Sequence, residues 1–346
     1  MTTGHVLSDE EIERTASWIA AHQRADGGIP WFPDRQLDPW NHLQCAMALT
    51  VSGRHRAARA AFDFLATNQL PEGAWPSLAT TDRVLDSARD TNHAAYLASA
   101  LWHYFLATDD VGLLAELWPT LERAVEFVLG LQRPDGVLLW AADPAGAVWP
   151  TPVLASASSA HGSLRCAGRI ADRLGHDRQR WTEAAGRLAG ILGGDLSEFS
   201  GAEMPQPPGH FGMDWYYPVL GGAVRGAAAR ARLDAGHESW LREGLGCRCV
   251  VDRPWYTVAE TCEVAITLDA CGDSERAREL FSWVHVRRDD DGGYWTGTVL
   301  VEGSGVVWPE ERPSWTAATV VLAADVLSGE SKTSRFFRDL GSNPQG

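Results

Sequence analysis

The segment VEFVLGLQRPDGVLLW (125–140) closes an amphipathic run with Gln, a Gly-containing turn and Trp. The same order recurs in ASWIAAHQRADGGIPW (16–31) and FDFLATNQLPEGAW (62–75), and with Arg in place of Gln in LFSWVHVRRDDDGGYW (280–295). A Gly just past the last helical residue is a signal for a helix C-terminus. Four copies of one helix end predict a repeat architecture rather than four unrelated helices.

More apolar helical stretches, richer in small residues, lie between these copies. We predict that they begin near Asp38, Asp90, Thr151, Asp214, Thr257 and Arg312. We predict that more amphipathic partner helices begin near Ser8, His55, Val111, His176, Gly236 and Ser274. Helices with one polar face belong outside, and helices that are apolar nearly all round belong inside. The sequence therefore predicts an all-α fold, an (α/α)6 barrel of six helical hairpins closed into a toroid.

The domain organisation follows from where this pattern holds. No low-complexity linker divides the chain, which predicts a single toroid domain over residues 1–328. The helical pattern is lost from Gly329, so we expect residues 329–346 to form a loosely ordered tail. Strand signals are few, and LLWAAD (138–143) and YWTGTVLVEG (294–303) predict short hairpins within loops.

The composition argues against several classes of partner. The chain has 30 basic and 45 acidic residues and a formal net charge of −15, which disfavours nucleic acid and anionic membranes. No apolar run reaches membrane-spanning length, and residues 1–18 lack the basic and apolar regions of a signal peptide. The six cysteines show no disulfide framework, and no metal or phosphate-binding motif is present. We expect a cytoplasmic protein that uses no cofactor or metal and acts on a small molecule.

In such a toroid the segments that precede the inner helices gather at one end of the barrel, here called the mouth. Tryptophan, acidic, amide and imidazole side chains concentrate in these mouth loops. Indole faces beside polar edges suit a sugar ring, which has apolar faces and polar edges. The candidate binding residues are Trp31, Asp38, Trp40, His42, Trp75, Arg89, Asp90, His93, Trp149, His161, Trp215, Tyr216, Trp295, Trp308 and Trp315.

Each of these candidates also has a structural explanation. Asp38 and Asp90 suit helix N-caps, His42 suits a buried histidine with satisfied hydrogen bonds, and the repeated tryptophans suit packing at helix ends. Glu260 and Glu263 lie one helical turn apart and share a face. Two carboxylates on a buried face would need partners or a raised pKa, which favours a functional role for this pair.

Two families resemble the chain. The repeats of Gln, Gly and Trp are similar to those of the terpene cyclase and protein prenyltransferase superfamily of α/α toroids. That resemblance implies an aromatic-lined pocket that stabilises carbocations. The Asp-x-Asp-Asp cluster of those cyclases is missing, because the aspartates of RRDDDGGYW (287–295) lie in a repeat turn instead.

The second resemblance is to glucoamylase-type glycosidases. It rests on residues 90–136, DTNHAAYLASALWHYFLATDDVGLLAELWPTLERAVEFVLGLQRPDG, and on VVWPEERPSWTAATVVLA (306–323). The second segment is similar to that family's final loop and inner helix, where the catalytic base lies. The resemblance therefore implies Glu310 as general base, and we expect Glu311 to be a helix-start residue.

The same resemblance exposes a departure at the general acid. In that family the acid is a Glu that follows a Trp before the third inner helix, whereas this chain has Ala141 after Trp140. Asp143 lies two residues further on, but an acid from another hairpin is favoured instead. Asp214, Asp90 and Glu260 are the alternatives, of which Asp214 and Glu260 are the candidate acids. Because inverting glycosidases need both an acid and a base, we expect simple α-glucosides such as maltose to be poor substrates.

The sequence thus supports a carbohydrate-active enzyme that acts on a glycoside or sugar derivative by carboxylate general acid/base chemistry, with glycosidase-like hydrolysis as the reaction. Two alternatives remain open at this stage. One is a terpenoid cyclase-like or prenyltransferase-like enzyme, and the other is a sugar-binding toroid without catalysis. An epimerase or lyase that uses His42, His93 or His161 is a further possibility.

Overall fold

The computed structural model describes residues 7–200 and 209–341 of the chain. Alternating outer and inner helices account for most of these residues. In chain order the helices are α1 (Asp9–Ala21), α2 (Pro39–Val51), α3 (His55–Asn68), α4 (Thr91–Thr108), α5 (Val111–Gly130), α6 (Leu154–Leu174), α7 (Gln179–Leu192), α8 (Gly212–Leu220), α9 (Gly226–Trp240), α10 (Val258–Ala270), α11 (Ser274–Ser282), α12 (Ser314–Ser328) and α13 (Phe336–Asp339).

The even-numbered helices α2 to α12 form the inner ring. Each contacts the next, and α12 contacts α2 to close the ring. The outer helix α7 buries one face only, through Trp181, Ala184 and Leu188, whereas the inner helix α12 is buried over nearly its whole length. The predicted all-α fold of six hairpins in an (α/α)6 barrel is confirmed. No helix in the described ranges is both long and apolar enough to cross a membrane.

The Gln of each repeat ties one hairpin to the next. The Gln69 side-chain amide donates to the carbonyl oxygen of Gly73 in its own turn (2.8 Å) and to that of Thr120 on α5 (2.9 Å). Gln23 and Gln132 make the equivalent pairs of hydrogen bonds. Gly73 has φ +96°, and a Cβ there would lie 2.2 Å from the carbonyl oxygen of Arg123. The repeat is therefore a backbone-to-backbone contact between a helix end and the next outer helix, which only Gly permits.

The strands are short and lie in the mouth loops. They are β1 (Leu78–Ala79), β2 (Val84–Asp86), β3 (Arg89–Asp90), β4 (Ala141–Ala142), β5 (Leu241–Arg242), β6 (Gly246–Arg248), β7 (Trp255–Thr257), β8 (Gly297–Val301) and β9 (Ser304–Val307). Strands β5 to β9 form an antiparallel sheet in sequence order, while β1 pairs with β2 and β3 with β4. The prediction for residues 294–303 is confirmed by β8, which forms a hairpin with β9 within a larger sheet. Of residues 138–143 only β4 is a strand, and it pairs with β3 of another loop rather than forming a hairpin of its own.

One outer helix was placed wrongly from the sequence. The outer helix that we predicted to begin near Gly236 is α9, and it begins at Gly226. The preceding inner helix stops early, because Gly221 follows α8 with its backbone against Ser158, where a Cβ would lie 2.0 Å from the carbonyl oxygen. Gly236 instead lies inside α9, where the Trp215 ring leaves no room for a side chain.

The end of the barrel opposite the mouth is covered by the segment after Gly329, which we had expected to be loosely ordered. Phe336 and Leu340 are buried, and Arg338 forms an ion pair with Asp269 of α10 (2.8 Å). Residues 342–346 of that segment, and residues 1–6 of the stretch considered for a signal peptide, lie outside the described residues. The boundary at residue 328 stays a prediction.

Candidate active site

Two buried aspartates begin inner helices at the mouth. Asp38 caps α2 and Asp90 caps α4, each accepting backbone N–H groups of the first turn. Each carboxylate also accepts an indole N–H from a repeat tryptophan, Trp31 for Asp38 (2.5 Å) and Trp140 for Asp90. Both aspartates therefore act as helix N-caps, but capping occupies only some of the hydrogen-bonding positions of each carboxylate. Indole donors that hold a carboxylate at the mouth also fix its direction.

Several polar atoms at this end are buried without a partner. They are Asn92 Oδ1 and His93 Nδ1 in the first turn of α4, and Trp315 Nε1 in the first turn of α12. The other imidazole nitrogen of His93 lies 3.8 Å from the Asp38 carboxylate. A buried polar group without a hydrogen bond is costly, so these atoms lower the stability of the mouth end of the barrel.

One layer deeper, Glu263 of α10 is the centre of a buried hydrogen-bond network. Its carboxylate accepts the hydroxyl protons of Tyr216 and Tyr217 (2.8 Å for Tyr217) and a proton of the Gln44 amide (3.3 Å). Burial is the main reason that the pKa of Glu263 is raised to about 7, against the lowering effect of the tyrosine hydroxyls. Trp40 packs edge to face on Tyr217, with ring centroids 6.1 Å apart, and covers this layer from the mouth side.

A small pocket lies below this layer. It is lined by Gln44, Tyr217 and Glu263 on one side and by Phe336 and Leu340 on the other. Its free space is about 30 Å³, which suits a few water-sized molecules and not a pyranose ring.

The two candidate acids, Glu260 and Asp214, are both buried at the mouth end of inner helices. Glu260 lies in the first turn of α10 and accepts the hydroxyl proton of Thr257. Asp214 lies in the first turn of α8 and accepts the backbone N–H of Gly209 (3.1 Å). Burial raises the pKa of Asp214, as a proton donor requires. Asp143, near the position of the missing acid, instead accepts backbone N–H groups in its own turn.

Glu310 lies in a different environment. It is exposed and, with Trp295 and Arg35, lines an open cleft of about 640 Å³ between the first and last mouth loops. That volume lies within the range of small-molecule sites. Glu311 is also exposed, but our expectation that it starts a helix is wrong. The helix α12 begins at Ser314, because the extended backbone of Pro313 precedes it.

Several predicted binding residues are engaged in structural contacts. Both His42 ring nitrogens are hydrogen-bonded, to Ile29 N and Ala61 O, and burial lowers its pKa to about 4. His161 bonds to the Gly221 carbonyl oxygen, and burial likewise lowers its pKa to about 4. The indole N–H groups of Trp75 and Trp215 donate to backbone carbonyl oxygens. The Tyr216 hydroxyl group donates to Glu263. Arg89 forms an ion pair with Glu72.

The remaining predicted aromatic residues do gather at the mouth. Trp31 packs edge to face on Trp315, and Trp140 packs on Trp149 with ring centroids 5.2 Å apart. Trp308 is 40% exposed and packs on Trp255, which the sequence analysis did not select. The sequence feature that could have identified Trp255 is its position in a short strand, two residues before Thr257, near which an inner helix is predicted to begin. Among the described residues, no group of three or more His, Cys, Asp or Glu could hold a metal ion.

Comparison with known proteins places this barrel among sugar-processing enzymes. The chain is 43% identical over 336 residues to the MMP endo-(1,4)-3-O-methyl-alpha-D-mannosidase of Mycolicibacterium hassiacum, covering 96% of this chain and 90% of that protein. The chain belongs to the family of this mannosidase. It is therefore a carbohydrate-active enzyme and a glycoside hydrolase, and no support emerged for the terpene cyclase alternative. No protein-family model matches the chain.

Solved structures of other sugar-processing enzymes share the fold of this chain. A glycosidase variant in complex with glucose matches with a TM-score of 0.73 at 16% identity, over 92% of this chain and 96% of that one. A D-mannose isomerase matches with a TM-score of 0.71 at 14% identity, over 93% and 97%. An alpha-amylase from Clostridium perfringens matches with a TM-score of 0.67 at 11% identity, over 92% and 98%. At these identities the likeness concerns the fold alone.

Proposed function

We propose that this protein is an endo-acting mannosidase that cleaves (1,4) bonds within chains of 3-O-methyl-α-D-mannose units. The observation that carries the proposal is the 43% identity to the mannosidase over 96% of the chain. The open cleft beside Glu310 supports internal cleavage. A cleft open at the rim accepts a chain that continues on both sides of the bond that is cut, whereas a closed pocket accepts only a chain end.

The chemistry needs two carboxyl groups. One donates a proton to the leaving oxygen, and the other activates water or attacks the anomeric carbon. We assign proton donation to Glu260, which is buried, accepts the hydroxyl proton of Thr257 and lies at the mouth end of the inner ring. Asp214 is the second candidate for this role, because burial raises its pKa. Glu310 is assigned the role of base, since it lines the open cleft where water reaches it.

The remaining mouth residues would hold the sugar. Asp38 and Asp90 present carboxylates that indole donors hold in a fixed direction, as hydrogen-bond acceptors for hydroxyl groups. Trp31 and Trp315 supply indole faces for the apolar faces of pyranose rings.

The direct test is digestion of a (1,4)-linked 3-O-methyl-α-mannose oligosaccharide, with products separated by size over time. Endo action releases oligosaccharides of intermediate length first, whereas exo action releases monosaccharide from the start. Maltose serves as the second substrate, and we expect it to be cleaved poorly. Early release of monosaccharide, or brisk cleavage of maltose, would show that the proposed specificity is wrong.

A further inference from the structure

Exposed apolar side chains concentrate on the mouth loops. Among the residues that the structure describes, nine large hydrophobic side chains are exposed, and eight of them lie in strand or loop segments that precede an inner helix. These eight are Val84, Leu85, Val148, Phe211, Val251, Val301, Val306 and Trp308. The ninth, Val286, lies in the short 3-10 helix after α11. A free sugar hydroxyl group finds no hydrogen-bond partner on such side chains. This distribution therefore suits a substrate that carries apolar groups.

Four apolar residues of the sheet form one continuous surface. Trp255 of β7 lies opposite Val299 of β8, and Val299 lies opposite Val306 of β9. Residues directly opposite each other on neighbouring strands share a face of the sheet. Trp308, two residues after Val306, shares that face, and its ring packs edge to face on Trp255 at 5.0 Å. We call these four residues the apolar platform.

The opposite face of the sheet is occupied. Tyr256 and Thr298 are buried there, 7% and 2% exposed, and the Thr298 hydroxyl accepts a proton from the Arg287 guanidinium (2.6 Å). That hydrogen bond joins this face to the 3-10 helix Trp283–Arg287. The apolar platform therefore faces away from the outer helix, and its Val306 and Trp308 remain 47% and 40% exposed.

The apolar platform adjoins the assigned acid. Thr257, two residues after Trp255 and so on the same face, donates its hydroxyl proton to Glu260. Thr257 lies opposite Gly297, and the backbone N–H of Trp308 donates to the carbonyl oxygen of Gly297 (3.1 Å). Across the sheet, only Gly297 lies between Trp308 and Thr257, the threonine that donates to Glu260. A sugar unit beside the cleaved bond would lie over this surface.

We propose, on the basis of the function proposed above, that the apolar platform is the subsite that recognises the 3-O-methyl group of a unit next to the cleaved bond. Two effects act in the same direction. A methyl ether buries a methyl group on the indole and valine surface, which is favourable by the area removed from water. An unmethylated unit would instead bury an O–H donor against side chains that cannot accept its proton. The surface thus selects methylated over unmethylated chains.

The experiment compares two substrates of equal length, (1,4)-linked α-mannose oligosaccharides with and without 3-O-methyl groups. We expect the wild-type kcat/KM to favour the methylated substrate by at least about fourfold for each methyl group in contact, the ratio that ~0.8 kcal/mol per buried CH₂ gives. Val306→Thr keeps the shape and replaces a methyl group by a hydroxyl group, and it should remove most of that preference. Trp308→Ala should reduce it further.

Val286→Thr is the matched control. It makes the same exchange at an exposed valine of the 3-10 helix after α11, outside the apolar platform, and it should leave the preference unchanged. If wild type cleaves both substrates equally, or if Val306→Thr lowers kcat/KM for both to the same extent, the apolar platform does not read the methyl group, and the proposed function still stands. If wild type cleaves neither substrate, the proposed function itself is wrong, and this inference falls with it.

Discussion

The two ends of the barrel are made by the same inner helices, yet they bury different chemistry. At the mouth, Asp38 and Glu260 are buried carboxylates, and Asn92 and Trp315 hold polar atoms without partners. At the opposite end the turns between helices are short, and α13 covers the barrel with Phe336. Unpaired polar groups cost stability and packed aromatic groups supply it. We therefore expect substitutions at the mouth to change activity alone, and substitutions at the covered end to change stability alone.

The largest expected effect is at the mouth. Glu260→Gln should lower kcat about 10²–10⁴-fold, the usual contribution of a general acid or base. The melting temperature should change little, because the amide oxygen can still accept the Thr257 hydroxyl proton. Assays on the methylated oligosaccharide and calorimetry provide the two measurements. Glu243→Gln, at an exposed position in the β5–β6 turn, is the control. Activity within tenfold of wild type would transfer the role of acid to Asp214, to be checked with Asp214→Asn.

Glu310 and Glu311 are neighbouring exposed carboxylates in the last mouth loop. Comparing their substitutions distinguishes a catalytic carboxylate from one that only adds charge to the loop. Glu310→Gln should lower kcat by about 10²-fold, the lower end of the range for a general base, because bulk water has access to this site. The neighbouring Glu311→Gln should change kcat less than twofold, and neither should alter the melting temperature. Steady-state kinetics on both variants measure the difference. Equal effects of the two substitutions would indicate that only the charge of the loop matters.

The covered end should show the reverse behaviour. Phe336→Ala removes a side chain that is 2% exposed and should lower the free energy of unfolding by about 3–5 kcal/mol. Because the pocket beneath Glu263 has only about 30 Å³ of free space, too little for a pyranose ring, kcat per folded molecule should stay near wild type. Denaturant unfolding and active-site titration give these quantities, with exposed Arg335→Ala as the control. A large loss of kcat in fully folded Phe336→Ala would mean that the two ends are coupled.

Glu263 lies between the two ends and should affect the pH dependence of stability. Its pKa is raised in the folded state to about 7, mainly by burial, so the folded protein favours the protonated form. Stability is then greatest below the unfolded pKa of about 4.5 and falls as pH rises towards 7, by up to about 3 kcal/mol at order of magnitude. Glu263→Gln cannot ionise and should remove this slope.

The measurement is the melting temperature of wild type and Glu263→Gln at pH 5 and pH 8. We expect the wild type to lose a few degrees more than the variant between these values. Parallel pH profiles of the two proteins would show that Glu263 stays ionised throughout, and that its hydrogen bonds outweigh its burial.

The fold could be predicted because its determinants are local. The spacing of Gln69 and Gly73 is set by one turn that must touch the next helix, and it recurs in the same form at Gln132 and Gly136. The outer helix α9 was misplaced because its start depends on tertiary contacts rather than on local sequence. The sequence around Gly221 and Gly236 reads as continuing helix, and only the contacts with Ser158 and Trp215 decide which glycine ends a helix.

The sequence by itself determined the repeat, the inner and outer helices, and the concentration of acids and tryptophans at one end, because each follows from periodicity or from neighbours along the chain. It could not separate working residues from structural ones. His42 and His93 occupy similar positions in similar dipeptides, yet His42 is fully bonded while His93 keeps a buried nitrogen without a partner. The Trp255 and Val306 surface and the Glu263 network are set by tertiary structure alone. Their members come from strands and helices far apart in the chain, and hydrogen bonding and burial exist only once those segments meet.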